Sequence, residues 1–254
     1  MKSIINWRTF FILLILSFLS IFAIWPYIVT LQGEILKLTG IPLITIFLLQ
    51  LLQSTLLFSV AIFFGLLLIK KINFHLPFLE AFLAHEDYKK VIKDISFLSI
   101  FMGVATAVTI FATDKLFTLL GSAISTSQDL APIWQKLLAA FYGGITEEIL
   151  MRLFLMTLLI WIGIKITKKS KPTQIGIIIS IALVAIIFGL GHLPITASLT
   201  KITPLIVIRA VILNGIGGVV FGWLYWKKGL EAGMIAHFTA DIFLLTILPI
   251  LFAY

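Results

Sequence analysis

Seven apolar runs, most of them twenty residues or longer, set the limits on how this chain can fold. At 1.5 Å of helix rise per residue, about twenty apolar residues cross a hydrocarbon core. The runs are Phe10–Thr30, Pro42–Ile69, Ile95–Leu120, Ile133–Ile166, Gln174–Gly191, Pro204–Trp226 and Leu230–Leu251. Inside lipid, backbone amides must be satisfied within a helix or a closed barrel. These runs are continuous rather than alternating, so they read as helices. Composition agrees: hydrophobic residues reach 61% and charged residues only 12% of the 254, too few charges to cover a water-soluble surface, where about 25% is usual. The expected fold is all-α, a polytopic transmembrane bundle of seven to eight helices around a central polar cavity.

Details of the runs sharpen this expectation. The first follows Lys2 and Arg8 but meets no small-residue cleavage site before Trp25-Pro26, so it reads as a retained span rather than a signal peptide. The fourth would rise about 50 Å, well beyond a core of about 30 Å. It must project, tilt, or break at Gly143-Gly144, and a break would conceal an eighth element. Lys71–Asp94 is the one long polar stretch; its Leu76, Phe78, Leu79, Phe82 and Leu83 suggest a helix lying on the membrane surface. No linker divides the chain, which reads as a single multi-pass domain over 1–254.

Charge gives the orientation. Lys2 and Arg8, then Lys70, Lys71, Lys89, Lys90 and Lys93, then Lys165, Lys168, Lys169 and Lys171, then Lys227 and Lys228 all fall on one side of alternating spans. The other side holds Lys37 and Lys201, with Lys115 and Lys136 near its edge. The positive-inside rule therefore puts the amino terminus in the cytosol. The net charge of +8 is membrane topology, not a nucleic-acid surface, because no basic helix or aromatic-basic platform accompanies it. The absence of cysteine excludes disulfides, thiolate metal sites and Cys nucleophiles.

The chemistry lies in ionisable residues within the apolar runs. Glu147, Glu148 and Arg152 occupy one run, where each unpaired charge costs about 2.5–3.5 kcal/mol at the bilayer centre. Glu148 and Arg152, four apart, share a helix face and can pair. Glu147 sits about 100° away around the helix and is left to work elsewhere. Phe188 and His192 are four apart, so the ring should pack beside the imidazole; His237 and Asp241 also share a face. A free carboxylate and two imidazoles from three spans are the parts of a hydrolytic site: a base toward water, a proton shuttle and donors for an oxyanion. Each also has a plainer reading: Glu148–Arg152 as a structural ion pair, His192 as a headgroup contact, His237–Asp241 as a self-satisfied pair. Arg209 reads as a snorkelling or pairing residue, His75 and His85 as solvated, Gly218 and Gly222 as helix packing, and Asn214 as a further polar candidate. HExxH, GxSxG, P-loop and GxGxxG patterns are absent.

These motifs resemble those of the CPBP family, which groups type II CAAX prenyl endopeptidases, Abi proteins and bacteriocin-processing or immunity proteins. EExxxR reads Glu147 through Arg152, FxxxH reads Phe188 through His192, and HxxxN/D reads His237 through Asp241. The run Phe221–Trp226 with Lys228-Gly229 is similar to the family's closing segment. The resemblance covers roughly residues 131–254 and makes that half the catalytic core, with 1–130 supplying amino-terminal spans and the surface loop. It implies an intramembrane glutamic endopeptidase with no metal and no cofactor. Its substrate would be a peptide or protein, lipidated or not, met among membrane lipids. Glu147 would activate water with His192 assisting, Glu148 and Arg152 would hold the geometry, and His237 and Asp241 would take the oxyanion-hole positions. Asp241 departs from the Asn of the prenyl proteases; a protonated Asp could donate, or Asp241 could orient His237. Two alternatives stand beside this: a metal-dependent hydrolase with Glu147, His192, His237 and Asp241 as N/O ligands, and a non-catalytic immunity or scaffold protein. By counting residues, Glu147 and Asp241 meet near mid-membrane while His192 emerges near the outer edge.

Overall fold

A computed structural model describes residues 5–122 and 131–252; Lys2 lies outside them. All regular elements among the described residues are helical. In chain order they are α1 (Trp7–Leu38), α2 (Leu43–Ile72), α3 (Pro77–Leu83), α4 (Tyr88–Leu119), α5 (Ile133–Thr167), α6 (Gln174–Gly191), α7 (Leu193–Leu199), α8 (Pro204–Lys228) and α9 (Leu230–Leu251). Among the described residues, seven helical segments are long and apolar enough to cross a membrane, with α6 and α7 together forming one of them.

Caps explain why α1 and α4 outrun their apolar cores. The Asn6 side chain accepts from the Arg8 and Thr9 amides, and Asp87 from the Lys90 amide. Each satisfies amides a helix start leaves unpaired, so the helix begins at the cap and not at the first apolar residue. The polar stretch is divided accordingly. Only Pro77–Leu83 forms a short separate helix, with Leu76 and Leu79 buried and Phe82 exposed, while Tyr88–Asp94 is the first turns of α4.

The proposed break in the fourth run does not occur. α5 is continuous, but its middle is wound wider: Tyr142–Glu147 and Ile149–Met156 are π-helical, bonding five residues back. No eighth spanning element arises there. α5 is also the centre of packing, with Ile149, Leu153 and Met156 fully buried among Phe58, Ile62 and Leu66 of α2 and Ile177, Ile181 and Val184 of α6.

The outer surface is inverted relative to a soluble protein. Phe11, Ile15, Leu52, Leu56, Phe101 and Ile179 are all more than half exposed. Lipid, not water, is the solvent that tolerates such a surface. The protein is an integral, multi-pass membrane protein.

The two ends of the bundle are identified by contacts between helices. At one end, Lys71 and Lys165 both lie over the Trp161 ring, and the Leu230 amide donates to His75 O at 3.2 Å. At the other, Thr30 Oγ1 donates to Gln135 Oε1 at 2.8 Å, and Gln32 Nε2 to Ser198 Oγ at 3.3 Å. The basic clusters therefore share one end.

Candidate active site

The site forms where α5 touches α9, and two glycines permit the approach. A Cβ on Gly143 would collide with Asp241 Oδ2 and lie 3.1 Å from His237 Nε2; one on Gly144 would come within 2.8 Å of Phe238 Cβ. The π-helical turns carry Glu147 and flank Glu148 at this contact.

Glu148 lies at the centre of a sealed cluster. Its Oε1 is 2.9 Å from Arg152 Nη1 and 2.8 Å from His237 Nδ1, and both Glu148 and Arg152 are fully buried. Arg152 donates from Nη2 to the Gly218 carbonyl at 3.2 Å. Its guanidinium lies 5.3 Å from the Phe188 ring and 5.6 Å from the Phe221 ring, so aromatic faces stand in for water around the cation. Among the described residues, Glu148 Oε2 and Arg152 Nε and Nη1 have no hydrogen-bond partner. Much of the cluster's cohesion is therefore electrostatic, which is strong where water is excluded.

That cluster aims His237. Nδ1 is held by Glu148 and the ring stacks on Phe221 at 4.6 Å. A carboxylate accepts, so Nδ1 donates. The opposite nitrogen, Nε2, then faces Glu147 Oε2 at 3.6 Å and Asp241 Oδ2 at 3.7 Å. Both distances exceed a direct hydrogen bond; they leave no room for a water between the atoms, but one lying beside them in the cavity can reach both. The side chains of Glu147 and Asp241 are 24% and 22% exposed, in contrast to Glu148.

The exposure is to a cavity of about 310 Å³, lined among others by Glu147, His192, Asn214, His237 and Asp241. Its volume holds roughly ten waters at about 30 Å³ each. His192 Nδ1 lies 2.8 Å from Phe188 O, and its ring meets Phe188 edge-on at 4.7 Å. A carbonyl accepts, so Nδ1 carries the proton and Nε2 keeps its lone pair. Glu147 and His192 both line this one cavity, despite the height mismatch in the residue count. Asn214 Nδ2 donates to Ala210 O at 2.9 Å.

Sequence spacing brings out Glu148–Arg152, Phe188–His192 and His237–Asp241, and the structure places each pair in contact. It does not bring out the Glu148–His237 bond, which joins residues 89 apart, nor the aromatic sandwich on Arg152. The amino-terminal half also contributes more than generic spans, because Ile24, Tyr27 and Leu31 of α1 and Ile110 of α4 line the cavity. Arg209 is paired, with Nη2 2.6 Å from Asp114 Oδ1. Gly218 and Gly222 do pack helices: a Cβ would lie 2.7 Å from Ala185 Cα in one case and 3.3 Å from Ile181 Cγ2 in the other. His75 is exposed and 3.5 Å from Glu80. Among the described residues, no three His, Asp or Glu side chains are grouped to hold a metal ion.

Residues 129–243 match the family model described as Type II CAAX prenyl endopeptidase Rce1-like. This segment is a domain of the CPBP family. It contains all three motifs, from Glu147 to Asp241. The Rce1-like family is a protease family, and CAAX proteases act on peptide and protein substrates. Comparison with curated proteins and with solved structures gives no match.

Proposed function

We propose that the protein is an intramembrane, glutamate-dependent endopeptidase in which Glu147 activates the attacking water. The observation that carries this reading is that Glu147 Oε2 and His237 Nε2, 3.6 Å apart, both face a cavity large enough for water. A water in the cavity beside Glu147 loses a proton to it as its oxygen attacks the substrate carbonyl carbon. His237 Nε2 faces the space where the oxyanion develops; with Nδ1 committed to Glu148, it stabilises that charge only as the doubly protonated imidazolium, donating from Nε2. The C–N bond then breaks, and Glu147 returns its proton to the leaving nitrogen.

Glu148 and Arg152 position rather than react: they are fully buried, and Glu148 fixes the His237 ring. Asp241 Oδ2 also lies near Nε2, at 3.7 Å, and orients the same imidazole. The unit that does this is the whole chain as one domain, since α1 and α4 complete the cavity wall.

Purified protein is incubated with lipidated and unlipidated peptides, beside Glu147→Gln and Glu147→Ala. Cleavage by the native chain and its loss in both variants is the expected result. Equal cleavage by all three ends the assignment of Glu147. Activity unchanged by chelators supports metal-independent hydrolysis, and its loss with recovery on adding Zn²⁺ favours the metal-dependent alternative.

A further inference from the structure

We infer that the cavity receives its peptide from the non-cytosolic face of the membrane. What is received rests on the endopeptidase reading; where the mouth lies does not. The lining includes Glu147 and the buried Phe221 and His237. Beneath them, toward the end where Lys71 and Lys165 meet Trp161, the interior is solid. Arg152, Leu153, Met156, Leu224 and Tyr225 are at most 1% exposed, and Thr157 Oγ1 bonds Tyr225 Oη at 2.8 Å. No path for a peptide runs that way.

In the other direction the lining continues through Leu31, Ile110, Ile195 and Leu245. These lie toward the end joined by Thr30–Gln135 and Gln32–Ser198, the end poor in Lys and Arg. Basic loops stay in the cytosol, so the sealed end is cytosolic and the open end is not. The apolar upper wall suits a hydrophobic or acyl-anchored peptide presented at the outer leaflet. Peptides exported through the membrane or anchored on its far side are thus the substrate class, rather than proteins attached to the cytosolic leaflet.

The chain contains no cysteine, so single-cysteine variants report position without a background. Ser170→Cys marks the basic end and Lys201→Cys the open end; both positions are exposed. Intact cells are treated with a membrane-impermeant maleimide. Labelling of Lys201→Cys in intact cells, with Ser170→Cys labelled only after permeabilisation, is expected. The reverse pattern, or equal labelling of both in intact cells, overturns the inference whatever the activity.

A second arm uses a palmitoylated, highly charged fluorogenic peptide added outside sealed vesicles. Glu147-dependent cleavage in right-side-out vesicles and its loss in inside-out vesicles is expected. The opposite preference overturns the proposed side of access while leaving Glu147 as the base. No cleavage in either vesicle or in detergent counts against the endopeptidase reading, and the labelling arm still decides the sidedness.

Discussion

Two carboxylate–arginine pairs lie within the spanning helices, and they differ in almost every respect. Glu148–Arg152 is central, with both side chains wholly buried and tied to His237, Gly218 O and two aromatic faces. Asp114–Arg209 joins α4 to α8 toward the bundle's open end, with side chains 36% and 16% exposed. The Asp114–Arg209 pair can rehydrate when broken, whereas the Glu148–Arg152 pair cannot. A buried pair is costly to break because the survivor keeps an uncompensated charge, about 3–5 kcal/mol. A solvated pair is worth about 0–1 kcal/mol. The contrast separates a cluster that specifies the site from one that only staples two helices.

The hardest test of that contrast is Arg152→Met, which strands Glu148. It is expected to lower stability by about 3–5 kcal/mol and abolish cleavage, read by thermal unfolding in detergent and by peptide assay. A stable, active Arg152→Met protein would erase the distinction. Glu147→Gln comes next and separates chemistry from scaffold. A loss of about 10²–10⁴-fold in kcat is expected from removing a general base. Its melting temperature should hardly move, since Glu147 faces the cavity and carries no buried partner comparable to Arg152.

Gly143→Ala probes the α5–α9 contact on which both carboxylates depend. Its Cβ would collide with Asp241 Oδ2, so overpacking should cost about 1–3 kcal/mol and displace His237 from Glu147. Activity falling further than stability alone explains, in a folded fraction measured by gel filtration, is the expected sign. The smallest effect belongs to Asp114→Asn. It should change stability by less than about 1 kcal/mol and leave peptide cleavage essentially native; a collapse of activity would show that the Asp114–Arg209 pair also shapes the cavity.

Much of the bundle is legible in sequence because lipid imposes one rule along the whole chain: apolar runs must be helical. Local pairs are legible for the same reason that makes Phe188 and His192 neighbours, a spacing of four on a regular helix. What is not legible comes from contacts without local spacing. Glu148 meets His237 only because α5 and α9 cross at Gly143 and Gly144. The π-helical turns also escape a reading at 3.6 residues per turn, since apolar composition does not distinguish four-residue from five-residue hydrogen bonding. Helix limits depart from the apolar runs where a polar cap, Asn6 or Asp87, extends a helix past its apolar core.

Because one oxygen of Glu148 serves both Arg152 and His237, these three positions cannot drift independently over evolutionary time. Shortening Glu148 to Asp withdraws the oxygen from two donors at once, and altering either partner leaves the acid stranded. Selection from a library randomised at 148, 152 and 237 should therefore return concerted triplets rather than tolerated single changes.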